Sequence, residues 1–108
     1  MKTIIAIIRP GALEAIEQIL DHGVACLMST TRMFGYGPEP TEFGVYRGVR
    51  YRVRRAMLRL EIALDDEFVA PVIRAIRRTE SPGRADDCSE CMVFVIDMDD
   101  SQHLARHA

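Results

Sequence analysis

A chain of 108 residues accommodates one small core and not two. With 48% apolar and 28% charged residues it has the balance of a globular domain, and a formal net charge of -2 lacks the overall basicity that draws nucleic acid. Three cysteines, an odd number, and an opening without a charged-then-apolar signal segment predict a reducing, cytoplasmic setting, and apolar runs such as Ile4 to Ile8 are far too short to span a bilayer.

Residues Thr3 to Arg9 form a short, β-branched, almost wholly apolar run ending at Pro10, which predicts a strand covered on both faces. Leu13, Ile16, Ile19 and Leu20 then recur at helical spacing until Gly23 closes the segment. A second strand is expected from Val24 to Phe34. From Gly35 to about Arg54 no clean period exists, and Gly35, Gly37, Pro38, Pro40, Gly44 and Gly48 predict a long loop, roughly 15–20 residues, of the kind that usually serves function.

The third strand is expected from Ala56 to Leu64, with Leu58, Leu60, Ile62 and Leu64 on one face and Arg59, Glu61 and Ala63 on the other. Asp65-Asp66 offers an N-cap for a helix carrying Phe68, Val69, Val72, Ile73 and Ile76, with Pro71 expected in its first turn. Glu80 to Glu90 reads as a polar loop, Met92 to Met98 as the last strand, and residues 99–108 as a polar tail. The order βαββαβ is that of a ferredoxin-like α+β domain spanning residues 1–108, with both helices on one face of a four-stranded antiparallel sheet. The other sheet face is left bare although the first and last strands are apolar there, which predicts a homo-oligomer.

Three features bear chemistry. Of the 14 basic residues 13 are arginine, and six of these, Arg47, Arg50, Arg52, Arg54, Arg55 and Arg59, crowd into 13 positions. A solvated loop and strand edge explains them blandly; capture of phosphate or a small oxyanion explains them functionally. A nucleic-acid patch is disfavoured by the acidic end of the chain and the lack of a stacking aromatic array. Gly35 and Gly37 leave the second strand where backbone N–H groups could approach a phosphate, or merely form a tight strand exit. Cys88 and Cys91 form a C-x-x-C that reads as a redox switch, as plain thiols or as half a zinc site. His103 and His107 complete a zinc-finger-like string, but the strand between spans ~23 Å and only four residues remain to return. No metal site is expected. Cys26 reads as a small buried hydrophobe. No nucleophile–base pair and no pair of carboxylates marks a catalytic centre, and Arg59 with Glu61 reads as a structural ion pair.

The motifs together resemble the PII signal-transduction superfamily. The opening KTIIAIIRP resembles that family's K-x-I-x-A-I-I-[KR]-P; Phe34-Gly35-Tyr36-Gly37 stands where the family has G-F-G-R. Tyr46-Arg47-Gly48-Val49-Arg50-Tyr51 resembles Y-R-G-x-x-Y of the family's T-loop, here about residues 36–54. Arg59-Leu60-Glu61-Ile62 resembles K-[IV]-E-I, Val93-Phe94-Val95 the final strand, and Gly83-Arg84 the opening of the B-loop, here about 80–91.

The resemblance implies a cytoplasmic, non-enzymatic homotrimer that senses ADP, AMP or ATP in clefts between subunits. It would signal through the T-loop to a transporter or metabolic enzyme, with peripheral contact at a membrane transporter and no nucleic-acid partner. It places Gly35 and Gly37 at the phosphates, Met28 and Ser29 at the ribose, Glu61 and Ala63 at the adenine, and Gly83 and Arg84 in the B-loop. Arg47, Arg55 and Arg59 become anion or effector contacts, and Tyr46, Arg47, Gly48 and Tyr51 the signalling tip. No cofactor is required beyond the nucleotide effector.

Departures narrow this. Glu39 stands in the place of the glutamine that helps hold Mg-ATP, Met57 in the place of the lysine that clasps 2-oxoglutarate, and Ser89-Glu90-Cys91-Met92 replaces G-D-G-K. These argue against 2-oxoglutarate sensing and weaken the case for Mg-ATP. The carbon-sensing, carboxysome-associated branch, responsive to adenine nucleotide with bicarbonate, fits the arginine-rich T-loop better. The alternatives are a metal-handling or redox-responsive relative using Cys88 and Cys91, and an RNA-binding module.

Overall fold

The computed structural model describes residues 1–20, 25–35, 43–80, 91–102 and 104, without the side chains of Ala25, Cys26 and Glu80. Its elements in chain order are β1 (Lys2–Ile8), a 3-10 turn (Pro10–Ala12), α1 (Leu13–Leu20), β2 (Ala25–Gly35), β3 (Phe43–Tyr46), β4 (Val49–Arg52), β5 (Arg55–Leu64), α2 (Asp66–Glu80) and β6 (Met92–Asp97). Pro10, whose fixed φ suits a first helical position, opens the turn that the Ala12 N–H closes onto the Arg9 carbonyl at 3.0 Å.

The main sheet has the order β2-β5-β1-β6 with every neighbouring pair antiparallel. Strand alternation sends Ile4, Ala6 and Ile8 of β1 and Leu60, Ile62 and Leu64 of β5 to one face. There they meet Ile16 and Leu20 of α1 and Val72 and Ile76 of α2 in one buried cluster. Each of the Ile, Leu and Val side chains, removed from water, contributes roughly 1.5–3 kcal/mol. This is the ferredoxin-like α+β arrangement that the element order predicts, with the helices on a single face.

Two expectations need correction. The described part of the expected loop, residues 43–54, is not without regular structure, because β3 and β4 pair as an antiparallel hairpin in register Phe43↔Arg52 to Tyr46↔Val49. Nor does Pro71 lie in the first turn of its helix, which begins at Asp66, five residues earlier. The Asp65 carbonyl accepts the Phe68 N–H at 3.0 Å and starts the ladder. Pro71 lacks the N–H that would reach the Glu67 carbonyl, and both residues are exposed.

Candidate functional site

The hairpin turns at Arg47 and Gly48, whose φ values of 51° and 78° are both left-handed, as a type I′ turn requires. The register then sorts its side chains into two faces. Phe43, Val45, Arg50 and Arg52 share one, where the Arg50 guanidinium lies 3.8 Å from the Phe43 ring centroid. Tyr46, Val49 and Tyr51 share the other, where the Tyr51 ring covers Gly44 so closely that a Cβ at position 44 would collide with it. At the tip the Arg47 guanidinium lies 5.4 Å from the Tyr46 ring. Val45, Tyr46 and Val49 are each about two-thirds exposed, so the ribbon stands away from the core. At its foot an open groove of about 440 Å³ is lined by Phe34, Tyr51, Arg52, Val53 and Arg54.

The sheet face away from the helices is the second feature. Thr3, Ile5 and Ile7 of β1 stand opposite Ile96, Phe94 and Met92 of β6, and the last three are each 48% exposed. Ile5, Ile7, Phe94, Ile96, Met33 and Arg59 help to line an open depression of about 760 Å³. On β5 the Arg59 guanidinium reaches the Glu61 carboxylate at 3.2 Å, both half exposed, so the expected pair forms, between the apolar residues of β1 and the exposed Ser29 and Thr31 of β2.

The residues expected at a nucleotide fall in several places. Ser29 stands opposite Glu61 across β2 and β5, and Ala63 lies two residues along β5 on the same face. Met28 is on the opposite face, packed against the core. Gly35 ends β2 opposite Arg55, the first residue of β5. Arg59 lies four residues further along that strand, ~13 Å away, while Arg47 stands at the hairpin tip. Arg47, Arg55 and Arg59 are therefore spread from the hairpin tip along the interior strand β5 and do not form one cluster. Gly37, Gly83, Arg84 and Cys88 lie outside the described residues, as do His22, His103 and His107. Cys91 is described and is disulfide-bonded.

At the other end of the sheet the charge reverses. The Met1 ammonium pairs with Asp66 at 2.9 Å and the Lys2 ammonium with Asp97 at 3.5 Å. The hydrogen bond from the Met1 ammonium, helped by its charge and that of Lys2, holds the Asp66 carboxyl below its usual value against a smaller desolvation effect. Asp65, Glu67, Asp99 and Asp100 lie beside these pairs in sequence, so an acidic end faces away from the arginine ribbon.

Sequence reasoning missed the hairpin's two faces. Arg-Gly is a weak turn signal beside Asn-Gly, and only the register reveals that Gly44 makes room for Tyr51. Among the described residues no group of three metal-ligating side chains gathers, and no helix is long and apolar enough to cross a membrane.

These elements define a ferredoxin-like domain that presents a ribbon and an apolar sheet face. The family model for nitrogen regulatory protein P-II matches residues 1–107. The chain is 30% identical over 100 residues to nitrogen regulatory protein GlnK1 of Methanosarcina mazei, covering 92% of this chain and 85% of that one. It is 33% identical over 88 residues to nitrogen regulatory protein P-II of Bradyrhizobium diazoefficiens, covering 81% and 79%. It is also 30% identical over 99 residues to nitrogen regulatory protein P-II 1 of Escherichia coli, covering 91% and 86%. The chain belongs to the P-II family of nitrogen regulatory proteins, and is a P-II-like signalling protein.

Proposed function

We propose that this protein is a non-catalytic, cytoplasmic homotrimer that binds ADP or AMP between subunits, together with bicarbonate, and signals by repositioning its arginine-bearing hairpin against a transporter or metabolic enzyme. The observation that carries the reading is the bare apolar sheet face. Ile5, Ile7, Met92, Phe94 and Ile96 form the β1–β6 half of one side of a sheet whose other side is already packed, and leaving them in water forfeits roughly 25 cal/mol for each Å². Further copies of the chain would cover that face and bring the β2–β5 edge, with Gly35, Ser29, Glu61 and Ala63, against a neighbouring subunit.

ATP is a weaker ligand in this reading, because Glu39 replaces the family's glutamine and cannot donate a hydrogen bond to phosphate when ionised. Arginines near the foot of the hairpin supply charge for a small oxyanion such as bicarbonate beside a diphosphate. A bound nucleotide favours one hairpin arrangement only in so far as it binds that arrangement more tightly, and the partner reads the resulting population. Isothermal titration with ADP, with and without bicarbonate, tests this. Heat with ADP that changes with bicarbonate supports it, and no heat with any adenine nucleotide at millimolar concentration defeats it.

A second reading has its own observation. Cys91 is disulfide-bonded at the edge of β6, and the chain's other cysteines are Cys26 and Cys88. In that reading reduction of the bond, with Cys88 as partner, alters nucleotide affinity. Identical ADP titrations in dithiothreitol and after diamide would discard it.

A further inference from the structure

The signalling reading leaves open what the hairpin recognises, and its edge chemistry narrows the answer. Among the described residues the small sheet contains β3 and β4 alone, so each strand has one edge whose N–H and C=O groups no third strand engages. The two edges differ. β3 is uncharged, whereas β4 reads Val49-Arg50-Tyr51-Arg52, and all four of these residues are exposed. From Phe43 to Arg55 the chain has five arginines and no acidic residue.

Arg50 and Arg52 lie on one face of β4 and are ~6.6 Å apart along it, the interval at which any strand repeats a side chain on one face. A strand added to β4 would set its side chains opposite at ~4.5–5.5 Å. Carboxylates at alternate positions would then meet Arg50 and Arg52, and the apolar residues between them would lie beside Val49 and Tyr51. We propose that the outer edge of β4 docks an extended segment of a partner protein, one that alternates carboxylate and apolar residues and joins the hairpin as a third strand. The proposal rests on the reading of the hairpin as the signalling element.

Charge and facing argue for this occupant over others. A second copy's β4 would place arginine against arginine. A single-stranded nucleic acid needs free aromatic rings to stack its bases on the side where arginines meet its phosphates, yet Tyr46 and Tyr51 lie on the face opposite Arg50 and Arg52, and Phe43, on their own face, is already covered by the Arg50 guanidinium. An extended acidic segment uses both faces and the backbone edge at once.

The test is fluorescence anisotropy with a labelled, end-blocked decapeptide of alternating glutamate and valine, titrated with the full-length protein with and without ADP. Binding is expected, and is expected to weaken at least tenfold for the same peptide methylated at every peptide nitrogen and for one with its five glutamates clustered. The Arg50→Glu/Arg52→Glu variant should lose at least tenfold while keeping the wild-type oligomeric state. The proposal is overturned if the methylated peptide binds within twofold of the parent, or if the parent does not bind at millimolar protein. It is likewise overturned if polyuridylate or phosphatidylglycerol vesicles bind through the same arginines more tightly than the peptide. Calorimetry with ADP reads the nucleotide site separately. A protein that binds ADP and ignores the peptide sinks this proposal alone, and one that binds the peptide and ignores ADP sinks the sensing reading alone.

Discussion

Gly44 and Tyr51 face each other across the hairpin, and the tyrosine ring occupies the volume that any Cβ at position 44 would need. The glycine thus leaves room for the half-exposed tyrosine ring to lie across the ribbon, and a side chain at position 44 would push that ring aside. With Gly48 at φ 78° there are two glycines for two reasons, one for space and one for backbone conformation.

Gly44→Val should therefore displace Tyr51 and open the ribbon without touching the core. Because the half-exposed ring can swing into water, the local cost falls below the roughly 1–3 kcal/mol of overpacking a core. Hydrogen exchange should show faster amide exchange in residues 43–52 of the variant, with the main thermal transition unmoved. Unchanged protection there would show that the ring does not hold the ribbon closed.

Leu60→Ala tests the other side of the sheet. Leu60 is fully buried among Ile4, Ile16 and Val72, and truncating such a residue costs ~2–5 kcal/mol. Urea denaturation should show a midpoint lowered accordingly, whereas Tyr46→Ala at the exposed tip should leave the midpoint within error of wild type.

The Met1–Asp66 pair predicts a pH dependence with a definite sign. The folded pKa of Asp66 lies below its unfolded value, so its contribution is present above the unfolded value, near ~3.9, and is lost as pH falls through the folded one. Asp66→Asn should be slightly less stable than wild type at pH 7 and indistinguishable from it in the acid range below that pKa. Urea midpoints at the two pH values check this, and a difference that persists or grows in acid would contradict the assignment.

Much of the fold was legible because burial imposes a period. Leu58, Leu60, Ile62 and Leu64 alternate with Arg59, Glu61 and Ala63, and the structure sends the two sets to opposite faces. The apolar β1 and β6 gave away the bare face for the same reason. The hairpin was missed although Val49-Arg50-Tyr51-Arg52 alternates apolar and charged residues, because the run is short, glycines and prolines precede it, and all four residues are exposed and mark no core. Pro71 misled because proline is best tolerated at a helix start, whereas α2 begins five residues earlier and carries it at an exposed position despite the lost hydrogen bond to the Glu67 carbonyl. The separation of Arg47 from Arg55 and Arg59 was not legible either, since spacing in sequence does not reveal that a hairpin carries one of them to its tip.

The bare face gives its own prediction. Phe94, 48% exposed, lies beside Ile5 on that face, and Phe94→Asp would place a carboxylate in the surface proposed to be covered. Size-exclusion chromatography with light scattering should show a trimer for wild type and a folded monomer for the variant.

The most direct measurement is an ADP titration by calorimetry on wild type and on Phe94→Asp under identical conditions. A site built between subunits predicts heat and three equivalent sites per wild-type trimer, and loss of binding in the monomeric variant. ADP bound equally well by the monomer, or by neither protein, would contradict the account.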